Sequence, residues 1–255
     1  MGILFSMLLV VCGSHAMSLE SKNHEYKIGD KTYEGYVAYP KGIEKRFSAI
    51  LMIHNWMGVT QETKEQANRF AEQGYFVFAA DVYGKGVRPK DSSEAGAQAT
   101  IYKSDRALFR KQLKAALAEM NKFPQVNKSS EAAVGYCFGG TGVMELARSG
   151  APLKGFVSFH GGLDSLNPKE GAKIKGRVLA LHGAIDPFVK PEDLAAFEKE
   201  MNDHNVDYQL VKYGGTVHSF TDKGAGTDIK KGAAYNKDSD RRSFQAAQNF
   251  LHEIF

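Results

Sequence analysis

The chain has 255 residues, with 33 Lys and Arg against 29 Asp and Glu for a formal net charge of +4, and 43% of it is hydrophobic. That length suits one α/β unit and is ample for a buried core. The mild positive charge sits on scattered lysines such as Lys41, Lys45, Lys64 and Lys85, without an arginine-rich stripe or aromatic interleaving, which argues against nucleic acid as a partner.

The first element is the apolar run Ile3 to Cys12, too short to span a bilayer, followed by small residues at Ser14 and Ala16 where a signal peptidase cuts. Residues 1–16 therefore read as a signal peptide, which implies a periplasmic or secreted protein with no stable membrane span in the mature chain. The alternative is a cytoplasmic protein that starts at Met17. Of the two cysteines, Cys12 lies in the segment that would be removed, so Cys137 has no intramolecular partner and no disulfide framework is available.

Residues 17–255 read as one continuous domain without repeats, low-complexity stretches or Pro-rich linkers. Tyr26 to Ile28 and Tyr33 to Tyr39 flank Gly29-Asp30 and predict an antiparallel hairpin at a sheet edge. Strands and helices then alternate. Strands are predicted over Phe47 to His54, Tyr75 to Ala80, Glu131 to Val134, Gly155 to His160, Arg177 to His182 and Tyr208 to Tyr213. Helices are predicted over Gln61 to Glu72, Asp105 to Met120, Thr141 to Ala147, Pro191 to His204 with proline in its first turn, and Ser239 to Phe255. This alternation points to an α/β class with a mostly parallel central sheet and helices on both faces.

The segment with the most chemical content is Gly135-Tyr136-Cys137-Phe138-Gly139, between a short apolar strand and an apolar-periodic helix. It has the form of a nucleophile elbow, a strained strand-to-helix turn whose neighbours leave room only for glycine, with sulfur in place of the usual hydroxyl. In that fold the acid and then the histidine follow the nucleophile, each on the loop after a later strand. Asp186 in Gly183-Ala184-Ile185-Asp186-Pro187 and His218 in Gly214-Gly215-Thr216-Val217-His218 occupy those places. His218 can take the Cys137 proton, and Asp186 can fix the imidazole tautomer.

With these blocks in view, the chain resembles the dienelactone hydrolase family of α/β hydrolases. Gly135-Tyr136-Cys137-Phe138-Gly139-Gly140, His182-Gly183 with Asp186-Pro187, and His218-Ser219-Phe220 match its three catalytic blocks, Asp81-Val82-Tyr83 matches a further motif, and the likeness runs from about Tyr26 onward. The resemblance implies the α/β-hydrolase fold, no cofactor, no metal, and hydrolysis of small-molecule esters or lactones through a Cys-His-Asp triad. It also implies an oxyanion hole from the backbone N–H groups of Phe138 and Trp56. Candidate substrate-binding residues are Asn55, Lys85, Arg88 and Tyr136, with core packing the main expectation for Tyr136.

The departures bear on substrate. Enzymes of this kind that cleave dienelactone carry a glutamate against the resting cysteine, where this chain has Asn55. Their arginines for the substrate carboxylate correspond here to Lys85 and Asp222, of which the second repels an anion. With Asn55 in that place nothing competes with His218 for the thiol proton, so a thiolate-imidazolium pair is expected. His54, His160 and His182 end predicted strands without a metal-ligand spacing and read as loop anchors or pocket-lining groups, and Asp81 as a residue that holds a strand-end loop. The competing functional readings are a redox-reactive thiol sensor or binding module on a hydrolase scaffold, and a thioester hydrolase or acyltransferase.

Overall fold

A computed structural model describes residues 18–43 and 45–255; the signal-peptide reading of residues 1–16, the start at Met17 and Cys12 lie outside the described residues. Eight strands form one sheet: β1 (Leu19–Ile28), β2 (Lys31–Pro40), β3 (Phe47–Ile53), β4 (Phe76–Ala80), β5 (Val126–Tyr136), β6 (Gly155–Phe159), β7 (Arg177–Gly183) and β8 (Tyr208–Tyr213), in the spatial order β1-β2-β4-β3-β5-β6-β7-β8. The β1–β2 hairpin pairs from Leu19↔Pro40 to Ile28↔Lys31 and joins β4 antiparallel, while every remaining pairing is parallel.

Period-two alternation sends neighbouring residues of each parallel strand to opposite faces. On β3, Ala49, Leu51 and Ile53 enter a core under α2 (Ser92–Ser104), α3 (Arg106–Met120), α4 (Phe138–Arg148) and α5 (Pro191–Asp203), with Tyr102, Phe109, Val143 and Phe197 as examples of what they meet. Ile50 and Met52 enter the opposite core, under α1 (Gln61–Ala71) and α6 (Lys237–Ile254), which supply Phe70, Phe244 and Phe250. Both faces are therefore covered.

The predicted elements are present, with differences at several ends: β1 starts at Leu19, ahead of Tyr26, and α4 at Phe138, ahead of Thr141. β5 begins at Val126, earlier than the apolar stretch alone indicates, because Val126 pairs with Phe47 before the register shifts. α6 starts at Lys237, since the Asn236 side chain accepts the Ser239 N–H at 3.0 Å and caps the helix. Helix α2 was not predicted at all: it buries Ala95, Ala99 and Tyr102, mostly small side chains that give no amphipathic signal. No helix among the described residues is long and apolar enough to cross a membrane.

Candidate active site

The elbow forms where β5 meets α4. Cys137 sits at φ 53° and ψ −114°, half-buried, just before the first turn of the helix. A Cβ on Gly135 would strike the Gly139 carbonyl, and one on Gly139 would strike the Ile53 carbonyl. The two glycines are thus required by close backbone approach, as the motif implied.

Two loops from the same edge of the sheet reach the sulfur. The loop after β7 carries Asp186 and the loop after β8 carries His218, both buried. His218 Nε2 lies 3.0 Å from Cys137 Sγ, and its Nδ1 lies 2.7 Å from Asp186 Oδ2. A carboxylate can only accept, so Nδ1 carries the proton toward Asp186 and Nε2 faces the sulfur. The Phe188 N–H donates to Asp186 Oδ1 at 2.8 Å, which leaves the carboxylate little freedom to turn. The Phe188 ring, 63% exposed, stands edge-on to His218 at 5.4 Å between centroids.

The electrostatics favour charge separation across that contact. Burial works against the Cys137 thiolate, but the His218 charge and hydrogen bond, with help from the Phe138 amide and Lys103, bring the thiol below its ordinary range. Burial also works against the imidazolium, but the Cys137 charge, then the hydrogen bond that His218 donates to Asp186, raise His218 to about 10. The Phe138 amide lies beside the sulfur, and neither it nor the Trp56 amide is taken up by another backbone carbonyl among the described residues.

The remaining predicted residues have other employment. Lys85 is exposed and reaches outward to Glu25 Oε1 at 2.6 Å on the hairpin, away from the sulfur. Arg88 gives its donors to the carbonyls of Val59 at 3.1 Å, Val87 at 2.8 Å and Glu34 at 3.1 Å, so it clamps loops together. Both side chains thus find partners in the hairpin and its neighbouring loops, and neither has a hydrogen bond to Cys137 or His218. Tyr136 is buried, stacks on Phe159 at 4.6 Å and donates to Gln66 Oε1 at 3.2 Å, which is the packing role. Asn55 is buried and has both ends of its amide in use, accepting from Met57 N–H at 2.8 Å and donating to Glu62 Oε2 at 2.9 Å. Asp222 caps a short turn by accepting the Gly224 N–H at 2.7 Å.

Two of the strand-end histidines, His54 and His160, are anchored by hydrogen bonds, whereas His182 is buried with its Nδ1 unpartnered. His54 donates from Nδ1 to the Asn55 carbonyl at 2.5 Å and accepts the Val82 N–H at Nε2, 3.1 Å away, while burial lowers it to about 4. Asp81 accepts from the backbone N–H groups of Tyr83, Gly84 and Glu34. His160, at φ 41°, packs edge-on to His218 at 5.1 Å and bonds Thr221 Oγ1 at 2.8 Å. Burial and the nearby His218 charge hold it well below the ordinary histidine range. Three of the four non-glycine residues with left-handed backbone among the described residues, Cys137, His160 and Ser219, belong to this one site. Strain of that kind collects where neighbouring structure enforces it, typically at functional sites. The contacts of His160 and Phe188 with the site, and the reach of the Lys103 charge to it, could not be read from the sequence, because no local spacing links them to it.

Among the described residues, no group of three or more His, Cys, Asp or Glu has an arrangement that could hold a metal ion.

A sequence model described as "Dienelactone hydrolase family" matches residues 33–255. An uncharacterized protein of Caenorhabditis elegans, K02A2.1, is 32% identical over 158 residues, which cover 60% of this chain and 98% of the relative. A Synechocystis sp. protein provisionally named a carboxymethylenebutenolidase is 25% identical over 201 residues, covering 73% of this chain and 80% of its own. Among solved structures, the dienelactone hydrolase-like promiscuous phosphotriesterase P91 from metagenomic libraries superposes with a TM-score of 0.89 at 34% identity, covering 93% of this chain and 99% of that one.

Proposed function

We propose that this chain, which belongs to the dienelactone hydrolase family and is an ester or lactone hydrolase, works through Cys137 as a covalent nucleophile. The observation that carries the reading is the hydrogen-bonded line from Asp186 through His218 to Cys137, at 2.7 and 3.0 Å. The thiolate attacks the carbonyl carbon and forms a C–S bond, and the Phe138 and Trp56 amides receive the oxyanion. The tetrahedral adduct collapses with cleavage of the C–O bond, and the His218 proton goes to the departing alkoxide. Water then gives a proton to His218 and attacks the thioester. Expulsion of the thiolate releases the acid and restores the pair. Asp186 keeps the imidazole in the tautomer that both halves use.

The substrate side follows from charge. Lys85 and Arg88 are engaged elsewhere and Asp222 lines one cleft with Glu62, the partner of Asn55, so among these residues no cation awaits a substrate carboxylate, and Lys103 is the cation whose charge reaches the sulfur.

Intact-protein mass spectrometry with a panel of activated esters, lactones and a phosphotriester tests the scheme. The expected result is an acyl adduct on Cys137 that decays at the turnover rate, and no turnover by Cys137→Ala. Full turnover by that variant overturns the assignment, and a thiol that oxidises readily but never acylates replaces it with the redox reading.

A further inference from the structure

The Trp56 amide lies in a loop whose aim is set from outside. On one side the Tyr83 hydroxyl donates to the Trp56 carbonyl at 3.0 Å, and His54 holds the Asn55 carbonyl. On the other, the Asn55 side chain folds across the turn and accepts the Met57 N–H at 2.8 Å. A primary amide has an oxygen end and a nitrogen end, so this contact lasts only while the amide plane stays in one orientation. What fixes the plane is the nitrogen end, which donates to Glu62 Oε2 at 2.9 Å. Glu62 stands in the first turn of α1, a helix of 11 residues pinned to the sheet by buried Ala67, Phe70 and Ala71. The chain of contact runs from a rigid helix, through one carboxylate and one amide, to the residues that flank Trp56.

We propose that Glu62 is a positioning residue for ester cleavage, holding the Asn55 amide and through it the direction in which the Trp56 N–H points at the developing oxyanion. This rests on the reading of Phe138 and Trp56 as the oxyanion donors. Glu62 itself touches no reacting atom.

The latch has a pH sense. Glu62 borders a cleft of about 560 Å³, where it faces Glu65 and Arg69 of its own helix, Asp222 and Lys223 of the loop after His218, and Tyr235 and Asp240 near the start of α6. Burial, then the Asp222 charge, raise it to about 7. A carboxylate accepts the Asn55 N–H more strongly than a protonated carboxyl does, so the loop is held more firmly above that pH than below it. In the free enzyme the Cys137 thiol is lowered and His218 is raised to about 10, and the pH profile of Cys137 alkylation reads this pair separately from Glu62. Glu131 is also raised to about 7, but it lies in β5 toward the edge remote from the elbow, paired with Ala49 near the start of β3. A rise in kcat/KM through neutral pH that the alkylation profile does not share is therefore the signature of Glu62, since kcat/KM reports free-enzyme groups.

The experiment compares wild type, Glu62→Gln and Glu62→Ala in p-nitrophenyl acetate hydrolysis from about pH 5 to about pH 9, together with iodoacetamide alkylation of Cys137 in each. Glu62→Ala lowers kcat about 10- to 100-fold, part of what loss of a whole oxyanion donor costs, with KM within about 3-fold and alkylation unchanged. Glu62→Gln, which can still accept from Asn55, recovers most of that kcat but abolishes the rise near neutral pH. Wild-type kcat in Glu62→Ala, alkylation that falls in step with kcat, or a rise retained in Glu62→Gln each overturns the proposal. Failure of the nucleophile reading shows separately, as turnover by Cys137→Ala.

Discussion

Helix α4 carries buried charge at both ends, and the two ends treat it differently. At the C-terminal end, Arg148 donates to Glu200 at 3.0 and 2.7 Å and to the carbonyls of Asp164 and Leu163 at 2.8 and 2.9 Å. Glu145 is met by Arg106 at 3.2 Å and Arg110 at 2.7 Å. Each of these arginine and carboxylate groups has its opposite, and the cluster ties α4 to α3, α5 and the loop after β6. At the N-terminal end, Cys137 and His218 face each other with sulfur lone pairs to spare and two backbone amides not taken by other carbonyls. A fully satisfied charge network has nothing left to offer a substrate, whereas the incomplete one keeps the unspent bonding capacity that the proposed nucleophile requires. The contrast teaches that burial of charge by itself does not mark a reactive site. The unspent valence does.

Four substitutions probe that contrast. Asp186→Asn should cost about 10⁴-fold in kcat, because the amide offers N–H where Nδ1–H needs an acceptor and the imidazole loses its working tautomer. Steady-state kinetics reads this, and a loss below about 10-fold would put the reactive end on the same passive footing as the other. Arg148→Met should destabilise by about 3 to 5 kcal/mol in urea unfolding, since it strands Glu200 and weakens the hold on Glu145, while surviving folded protein keeps its Cys137 alkylation rate. An alkylation change as large as the stability change would mean that the ends are coupled.

His218→Ala should slow alkylation of Cys137 at about pH 6.5 by 10-fold or more, and move its pH midpoint up toward the free-thiol value of about 8.5. The sign follows from the lowered thiol: with its imidazolium partner in place, the thiolate persists well below that pH. Equal rates with and without the imidazole would show that no ion pair exists. Glu131 supplies the third kind of buried group, a carboxyl without a matching cation, raised to about 7 chiefly by burial. Because the folded value lies above the unfolded one, its contribution is complete below the unfolded pKa and is lost as pH rises through about 7. Glu131→Gln should therefore stabilise by about 2 kcal/mol at pH 8 and change little at pH 4. Thermal melts at the two pH values decide it, and equal effects at both would remove the titration.

What was legible in the sequence divides along the same physical line. The convergence of Cys137, Asp186 and His218 could be read because backbone sterics put glycines around Cys137 and strand ends dictate where Asp186 and His218 must stand. The sheet could be read because β-branched and aromatic runs alternate with amphipathic helices. Helix α2 could not, since its buried face is Ala95, Ala99 and Tyr102. Lys85 was matched by position in a pattern and Arg88 offered as a nearby substitute, but a long cationic side chain goes to whichever acceptor is in reach, and Glu25 and several loop carbonyls were in reach. Asn55 was noticed for the charge it lacks. Its partner Glu62, seven residues on and in another element, is visible only once α1 is docked.

The hairpin fixes where the chain enters the molecule. Lys31 and Thr32 reach the Tyr83 and Lys85 backbone near the reactive edge, so Leu19, at the far end of the β1–β2 ladder opposite Pro40, lies at the other edge of the sheet. A protein cut to begin at Ser18 and tethered to a bead or a fusion partner by that end would keep its mouth facing outward.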